Sequence, residues 1–259
     1  MKKKIILDRK KELLNKSFSR VRIPENRDLF NGLRMNRMER VEDFPKNFLE
    51  KVFSKTKKYD LGKYPDQSLI YNKLSNFLKL DKKKILLTSG MDGGIKTIFE
   101  VLTKPGDKIG LLSPTYAMYS IYSNLFKVRL TEIGYNKFFK LKRKKLIEYI
   151  KSSPKIIFLP NPNQPIEDPM TINEIKKICK LSFKYKVLVV VDEAYNMFGT
   201  PSALPLINKY NNLIVLRTFS KSFGVPSIRF GYLASNKNTI KILSAYRLSY
   251  ETNFLTDTV

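Results

Sequence analysis

Apolar residues along this chain fall into two alternating patterns. Short blocks of consecutive apolar, often β-branched residues alternate with longer stretches whose apolar positions recur every three or four residues. The first pattern is that of a strand buried on both faces, the second that of an amphipathic helix. Read in order, the patterns predict a strand over 84–88, a helix over 91–102, a turn at Lys104-Pro105-Gly106-Asp107 and a strand over 108–112. A helix over 116–126, a strand over 127–132 and a helix over 141–152 follow. Next come a strand over 155–159, a loop rich in Pro and Asn over 160–170, a helix over 172–184 and a strand over 187–191. Strands over 212–218 and 228–234 and a helix over 237–244 close the series. Such alternation predicts a three-layer α/β/α domain, its sheet mainly parallel and covered on both faces. In such sheets ligands bind beyond the carboxyl ends of the strands. That rule singles out SGMDGG (89–94), NPNQP (161–165), DEAY (192–195) and TFSK (218–221), all rich in polar groups.

Composition narrows the picture. Hydrophobic residues are 42% and charged residues 28% of 259, a globular balance and not a disordered one. The longest clean apolar run, Val187 to Val191, is far too short to cross a bilayer. The start, MKKKIILDRKKELL, has a basic head, but its apolar stretch ends at Leu7, so no secretory signal is expected. A single cysteine, Cys179, excludes a disulfide framework and fits a reducing, cytoplasmic setting. The net charge of +26 suits either an anion-binding surface or a lysine-rich solvated one. The lysines are spread from Lys2 to Lys241, and the densest block, KLKRKKL (140–146), opens a helical pattern. With no nucleic-acid-binding signature, the solvated reading is preferred, and neither nucleic acid nor membrane is expected as a partner. The absence of histidine removes His-based catalysis and His metal ligands, so no metal site is expected.

The four segments suit one cofactor. A lysine amine attacks a carbonyl only when unprotonated, and a burying site at Lys221 would favour that form. Asp192 ends an apolar strand, so its carboxylate should be buried and should pair with a cation, for which a protonated pyridine nitrogen is suitable. The residues Gly90, Met91 and Asp92 open a helix, where free N–H groups and the dipole bind phosphate. Arg229 with the hydroxyls of Thr218 and Ser220 would complete the anion pocket, and Tyr116 could stack on a flat ring. Phosphate, ring face, ring nitrogen and aldehyde then each have a partner, which describes pyridoxal 5'-phosphate. Each residue also has a plainer reading. Lys221 could be a loop lysine, Asp192 a cap, Arg229 a salt-bridge partner of Glu193, Tyr116 a core aromatic and Tyr64 a turn residue before Pro65.

In order along the chain, LRMNRMER (33–40), YPDQ (64–67), TSGMDGGI, KPGDKI, SPTYAMY, NPNQP, VDEAY and TFSKSFGVPSIRFGY resemble fold-type I aminotransferases of class I/II. The histidinol-phosphate aminotransferase branch is the most similar. The resemblance implies that Lys221 holds the cofactor covalently and moves the proton at the substrate α-carbon. It implies that Asp192 binds the ring nitrogen, Tyr195 and Gln164 the phenolic oxygen, and Tyr116 the ring face. Gly90, Met91, Asp92, Thr218, Ser220 and Arg229 would hold the phosphate. Tyr64 would reach the partner's site in a homodimer, with an amino donor and a keto acceptor as substrates. The division implied is an N-terminal arm or part of a small domain over 1–45 and a large cofactor-binding domain over 46–259. A C-terminal small domain, source of the arginine for the substrate's carboxylate or phosphate, is expected to be missing. Two departures stand out. Gln164-Pro165-Ile166-Glu167 replaces the family's Asn-Pro-Thr-Gly, which keeps an amide one methylene longer. Met38 and Met91 replace polar residues common in the family. Transamination is the function expected; a decarboxylase or lyase of the same fold, or an inactive basic fragment, are the alternatives.

Overall fold

The chain leads into its sheet through two helices, α1 (Phe48–Phe53) and α2 (Ser68–Leu78). The computed structural model describes residues 37–56, 62–247 and 249–258, so most of the expected N-terminal arm, including LRMN (33–36), lies outside the described residues. Neither α1 nor α2 was anticipated from the apolar pattern. In α2 only Ile70 and Leu74, one turn apart, are buried, while Leu69 and Phe77 stay exposed, which blurs the period.

The remaining elements follow the expected alternation. They are β1 (Ile85–Ser89), α3 (Gly90–Leu102), β2 (Lys108–Leu112), α4 (Met118–Leu125), β3 (Arg129–Ile133) and α5 (Arg143–Lys151). After them come β4 (Ile156–Pro160), α6 (Ile172–Lys184), β5 (Leu188–Asp192), β6 (Leu213–Thr218), β7 (Phe230–Ala234), α7 (Lys237–Ala245) and α8 (Phe254–Thr258). The strands form one seven-stranded sheet in the order β1-β7-β6-β5-β4-β2-β3. All neighbours from β6 to β3 are parallel, whereas β7 is antiparallel to both β1 and β6.

Side chains alternate across this sheet into two apolar layers. Leu87, Ile157, Leu159, Val189, Val191 and Val215 face α2, α5 and α6 through Leu74, Ile150 and Ile175. Leu86, Phe158, Val190, Ile214 and Leu216 face α3, α4 and α7 through Ile98, Phe99, Tyr119 and Leu243. The result is the three-layer α/β/α arrangement with a mainly parallel sheet. The helix boundaries have local causes. Thr171 and Glu174 form a reciprocal capping box at the start of α6, and the Asn236 side chain accepts from the Thr239 N–H at the start of α7.

Two departures from expectation bear on the site. The segment expected to form a strand from 228 begins instead with a 3-10 turn, Pro226–Ile228, and Arg229 adopts a left-handed conformation (φ 52°) before β7 starts. Pro226 imposes the turn, and the residue after it reverses the chain. The helix expected from 116 starts at Met118, so Tyr116 lies in the loop before α4 and is 42% exposed.

Candidate active site

Since β1, β4, β5 and β6 point the same way and β7 points back, four carboxyl ends and one strand start meet at one sheet edge. Beyond that edge lies a cavity of about 510 Å³. Its volume is in the range of small-molecule sites. Met91, Asp92, Tyr116, Gln164, Asp192, Tyr195, Thr218, Ser220, Lys221 and Arg229 all line it. Residues 37–39, on an otherwise separate segment, form part of its wall. Gly90 stands immediately behind Arg229. Tyr64 is elsewhere: it is 78% exposed, and its ring stacks on Tyr250 at 4.5 Å.

Lys221 lies just past β6 and is half-buried. Its Nζ donates to the Arg37 carbonyl at 2.6 Å and sits 5.6 Å from the centre of the Tyr195 ring. Burial lowers its pKa, Arg229 lowers it further, and Glu39 opposes both. A lysine kept less protonated than usual inside a cavity is suited to attack a carbonyl.

Asp192 ends β5, 5% exposed. Its Oδ2 accepts from the Tyr119 hydroxyl at 2.7 Å and its Oδ1 from the Ala194 N–H at 2.9 Å. No cationic side chain among the described residues forms an ion pair with it. Burial pushes its pKa up to about 6, against the lowering effect of its two donors. A buried carboxylate with neutral donors and no cation is a site for a cationic ligand group.

The anion cradle is built from backbone. Gly90 has φ +66°, and a Cβ there would meet the Arg229 Nη2 at 2.5 Å. The Gly90 N–H donates to the Arg229 carbonyl at 2.7 Å, which fixes that left-handed residue against the start of α3. No side chain caps α3 at Ser89, unlike α6 and α7, so its first-turn N–H groups are left without a side-chain acceptor. Thr218 Oγ1 lies 3.0 Å from Ser220 Oγ and accepts from the Ser220 N–H at 3.1 Å. Hydroxyls, an arginine and an uncapped helix start in one wall suit a phosphate. Tyr116 donates to the Asp92 Oδ2 at 3.2 Å, tying the aromatic ring to the same helix start.

The plain alternative for Arg229 does not hold. Glu193 is taken by Arg217, whose Nη2 is 2.8 Å from Glu193 Oε2, leaving Arg229 with the cavity. In the NPNQP loop, the Asn161 side chain exchanges two hydrogen bonds with the Met170 backbone and is structural. The Asn163 amide donates to the Pro114 carbonyl and to the Tyr135 hydroxyl, so its N–H groups are already used. Gln164 is therefore the amide of this loop whose side chain remains for a ligand. Tyr119 was missed from the sequence because it reads as a core aromatic at helical spacing. A strand-terminal Asp needs a buried donor, and that requirement was the available signal.

The donor set fits pyridoxal 5'-phosphate: an amine for the aldehyde, a carboxylate for a protonated ring nitrogen, a tyrosine for the ring face and a glycine-backed cradle for the phosphate.

Comparisons with known proteins agree with this arrangement. The family model for aminotransferase class I and II matches residues 49–253. The histidinol-phosphate aminotransferase of Sulfurisphaera tokodaii is 31% identical over 224 residues, covering 83% of this chain but only 61% of the relative, so the chain spans less than two thirds of that relative's length. Among solved structures, the histidinol-phosphate aminotransferase of Sinorhizobium meliloti in complex with pyridoxal-5'-phosphate superposes with a TM-score of 0.74 at 21% identity, covering 83% of this chain and 59% of that one. The L-threonine-O-3-phosphate decarboxylase of Porphyromonas gingivalis gives 0.70 at 22% identity, over 82% and 66%. At such identities these two structures show the fold alone. The family match spans most of the chain and includes every site residue above except those of the 37–39 segment: this chain belongs to the class I and II aminotransferases.

Proposed function

We propose that this protein is a pyridoxal-phosphate-dependent aminotransferase that passes an amino group between an amino acid and a 2-oxo acid or phosphorylated ketone. The observation that carries the reading is the convergence of Lys221, the cation-free Asp192 and the Gly90–Arg229 cradle on one cavity. The similarity to histidinol-phosphate aminotransferases supports a biosynthetic role with a phosphorylated substrate. We assign the described large domain to cofactor binding. By family analogy, the enzyme works as a cytoplasmic homodimer in which the exposed Tyr64 reaches the partner's phosphate site.

When bound, the cofactor supplies a conjugated pyridinium ring that accepts the electron pair left at the substrate α-carbon. Arg229, Thr218, Ser220 and the first N–H groups of α3 would anchor its phosphate. Asp192 would accept from the protonated ring nitrogen, and Tyr116 would pack on the ring face. Tyr195 and Gln164 would meet its phenolic oxygen. Lys221 Nζ would hold the cofactor's aldehyde carbon and, when free, would serve as the base that moves the proton between the substrate α-carbon and the cofactor. Burial lowers the pKa of Nζ and so favours its unprotonated form, which suits this role.

The test is a half-reaction. Protein loaded with the cofactor is mixed with glutamate and with phosphorylated amino acids and amino alcohols. Formation of pyridoxamine phosphate with the matching oxo product supports transamination. Carbon dioxide release without pyridoxamine phosphate would instead assign a decarboxylase.

A further inference from the structure

We propose that Tyr119 is a positioning residue of this site: its hydroxyl keeps the Asp192 carboxylate charged and aimed at the cavity, so that Asp192 meets the ring nitrogen as an anion. This inference rests on the reading of the cavity as a pyridoxal phosphate site.

Tyr119 lies on α4 and is 0% exposed. Its ring packs against Phe158 of β4, centroids 4.9 Å apart, and its backbone carbonyl accepts from the Ser123 hydroxyl. The ring is thus fixed by core packing, and the hydroxyl reaches across the top of the sheet to Asp192 Oδ2 at 2.7 Å. Burial, with Asp192 next in effect, raises its own pKa well above the usual tyrosine value, so it stays a donor across the working range.

The surroundings of Asp192 give the hydroxyl its weight. From β5, the next residue, Glu193, is a second carboxylate that disfavours the charge on Asp192, and it is itself neutralised by Arg217 of β6. From the loop that follows, Ala194 gives one N–H and Tyr195 lies close enough to feel the carboxylate charge. From α3 and the loop before α4, Asp92 and Tyr116 act on Tyr119 and not directly on Asp192. Lys221 and Arg229 line the same cavity but are not bonded to Asp192. Tyr119 is therefore the one side chain that donates to Asp192 among the described residues. Without that hydroxyl, a buried carboxylate oxygen loses its donor, and the proton returns to Asp192 at higher pH.

A purely structural role predicts something else. Tyr119→Phe keeps the ring and its packing on Phe158, so it would alter stability slightly and leave Asp192 unchanged. The deciding experiment follows the Asp192 carboxyl by 13C NMR in the cofactor-free full chain carrying labelled aspartate, with Asp192→Asn to assign the signal. Tyr119→Phe is expected to raise the Asp192 midpoint by about one pH unit and to weaken pyridoxal phosphate binding by about tenfold at pH 5 while changing it little at pH 7.5. Replacing Tyr119 by 3-fluorotyrosine, a stronger donor with the same packing, is expected to lower the midpoint, and it decides the matter if Tyr119→Phe does not fold. A midpoint unmoved in either variant that folds would overturn the inference. Should the unaltered protein fail to bind the cofactor while the midpoint moves as expected, the reading of the cavity would fall and the coupling of Tyr119 to Asp192 would stand.

Discussion

Asp192 and Glu193 are neighbours at the end of β5, both carboxylates and both buried, at 5% and 2% exposure. Glu193 has a complete set of partners: Arg217 at 2.8 Å, the Ser202 hydroxyl at 2.8 Å and the Ala203 N–H. Asp192 has two neutral donors and, among the described residues, no cation. One charge is closed by the chain itself, and the other is left for a partner that the described residues do not supply. A buried ion pair with all its hydrogen bonds holds two strands and a loop in place. A buried carboxylate without a cation carries a cost that only function explains, and its raised pKa, about 6, is the sign of that cost. The arginines show the same division. Arg217 is closed on Glu193, while Arg229, held left-handed beside Gly90, is left to the cavity.

The comparison breaks first at Glu193. Glu193→Ala leaves Arg217 buried without its counter-charge and should destabilise the protein by about 3–5 kcal/mol, read as a lower chemical-denaturation midpoint. Whatever fraction folds should bind pyridoxal phosphate with nearly unchanged affinity. Asp192→Asn should do the reverse, with folding preserved and cofactor affinity reduced about a hundredfold in a fluorescence titration, since the ring-nitrogen proton loses its anion. If both variants lost stability alike, the two carboxylates would not differ in role.

The pH dependence sharpens the contrast. Burial raises the Asp192 pKa, so in the free protein it takes up a proton as pH falls through about 6. Cofactor affinity should therefore be full above that pH and weaken below it. The cofactor's own phosphate titrates nearby, so the informative quantity is the ratio of affinities of the unaltered protein and Asp192→Asn. That ratio should shrink as pH falls from 8 to 5.

A smaller effect is expected at Gly90. Gly90→Ala puts a Cβ 2.5 Å from the Arg229 guanidinium at a φ of +66°. Backbone strain of about 1–2 kcal/mol and a displaced arginine should weaken cofactor binding about tenfold, and inorganic phosphate should compete less well. The smallest effect belongs to the basic block on α5. Lys144→Ala with Lys145→Ala should change neither cofactor affinity nor stability beyond about 0.5 kcal/mol, because these exposed lysines form no ion pair among the described residues and serve a solvated face.

Most of this architecture was legible in the chain. The apolar strand blocks at 108–112 and 187–191 and the helix over 172–184 leave little choice of structure, and the strand-end rule gathers residues from four segments into one crevice. Three features were not legible, each for a physical reason. The direction of β7 depends on the Pro226 turn and the left-handed Arg229, and an apolar block has no sign. Helix α2 hides behind exposed Leu69 and Phe77. The distinction between Asp192 and Glu193 rests on residues that come together only in space, Tyr119 from 73 positions upstream and Arg217 from 24 downstream. In DEAY the two carboxylates look alike.

The central claim is that Lys221 and the cation-free Asp192 share a formed cofactor site. Its most direct test is to add pyridoxal phosphate to the 259-residue chain, reduce with borohydride and locate the modified lysine by peptide mass spectrometry. The account predicts one dominant adduct, on Lys221, strongly diminished by Asp192→Asn. Labelling spread across the many surface lysines, or the same yield at Lys221 without the Asp192 carboxylate, would contradict it.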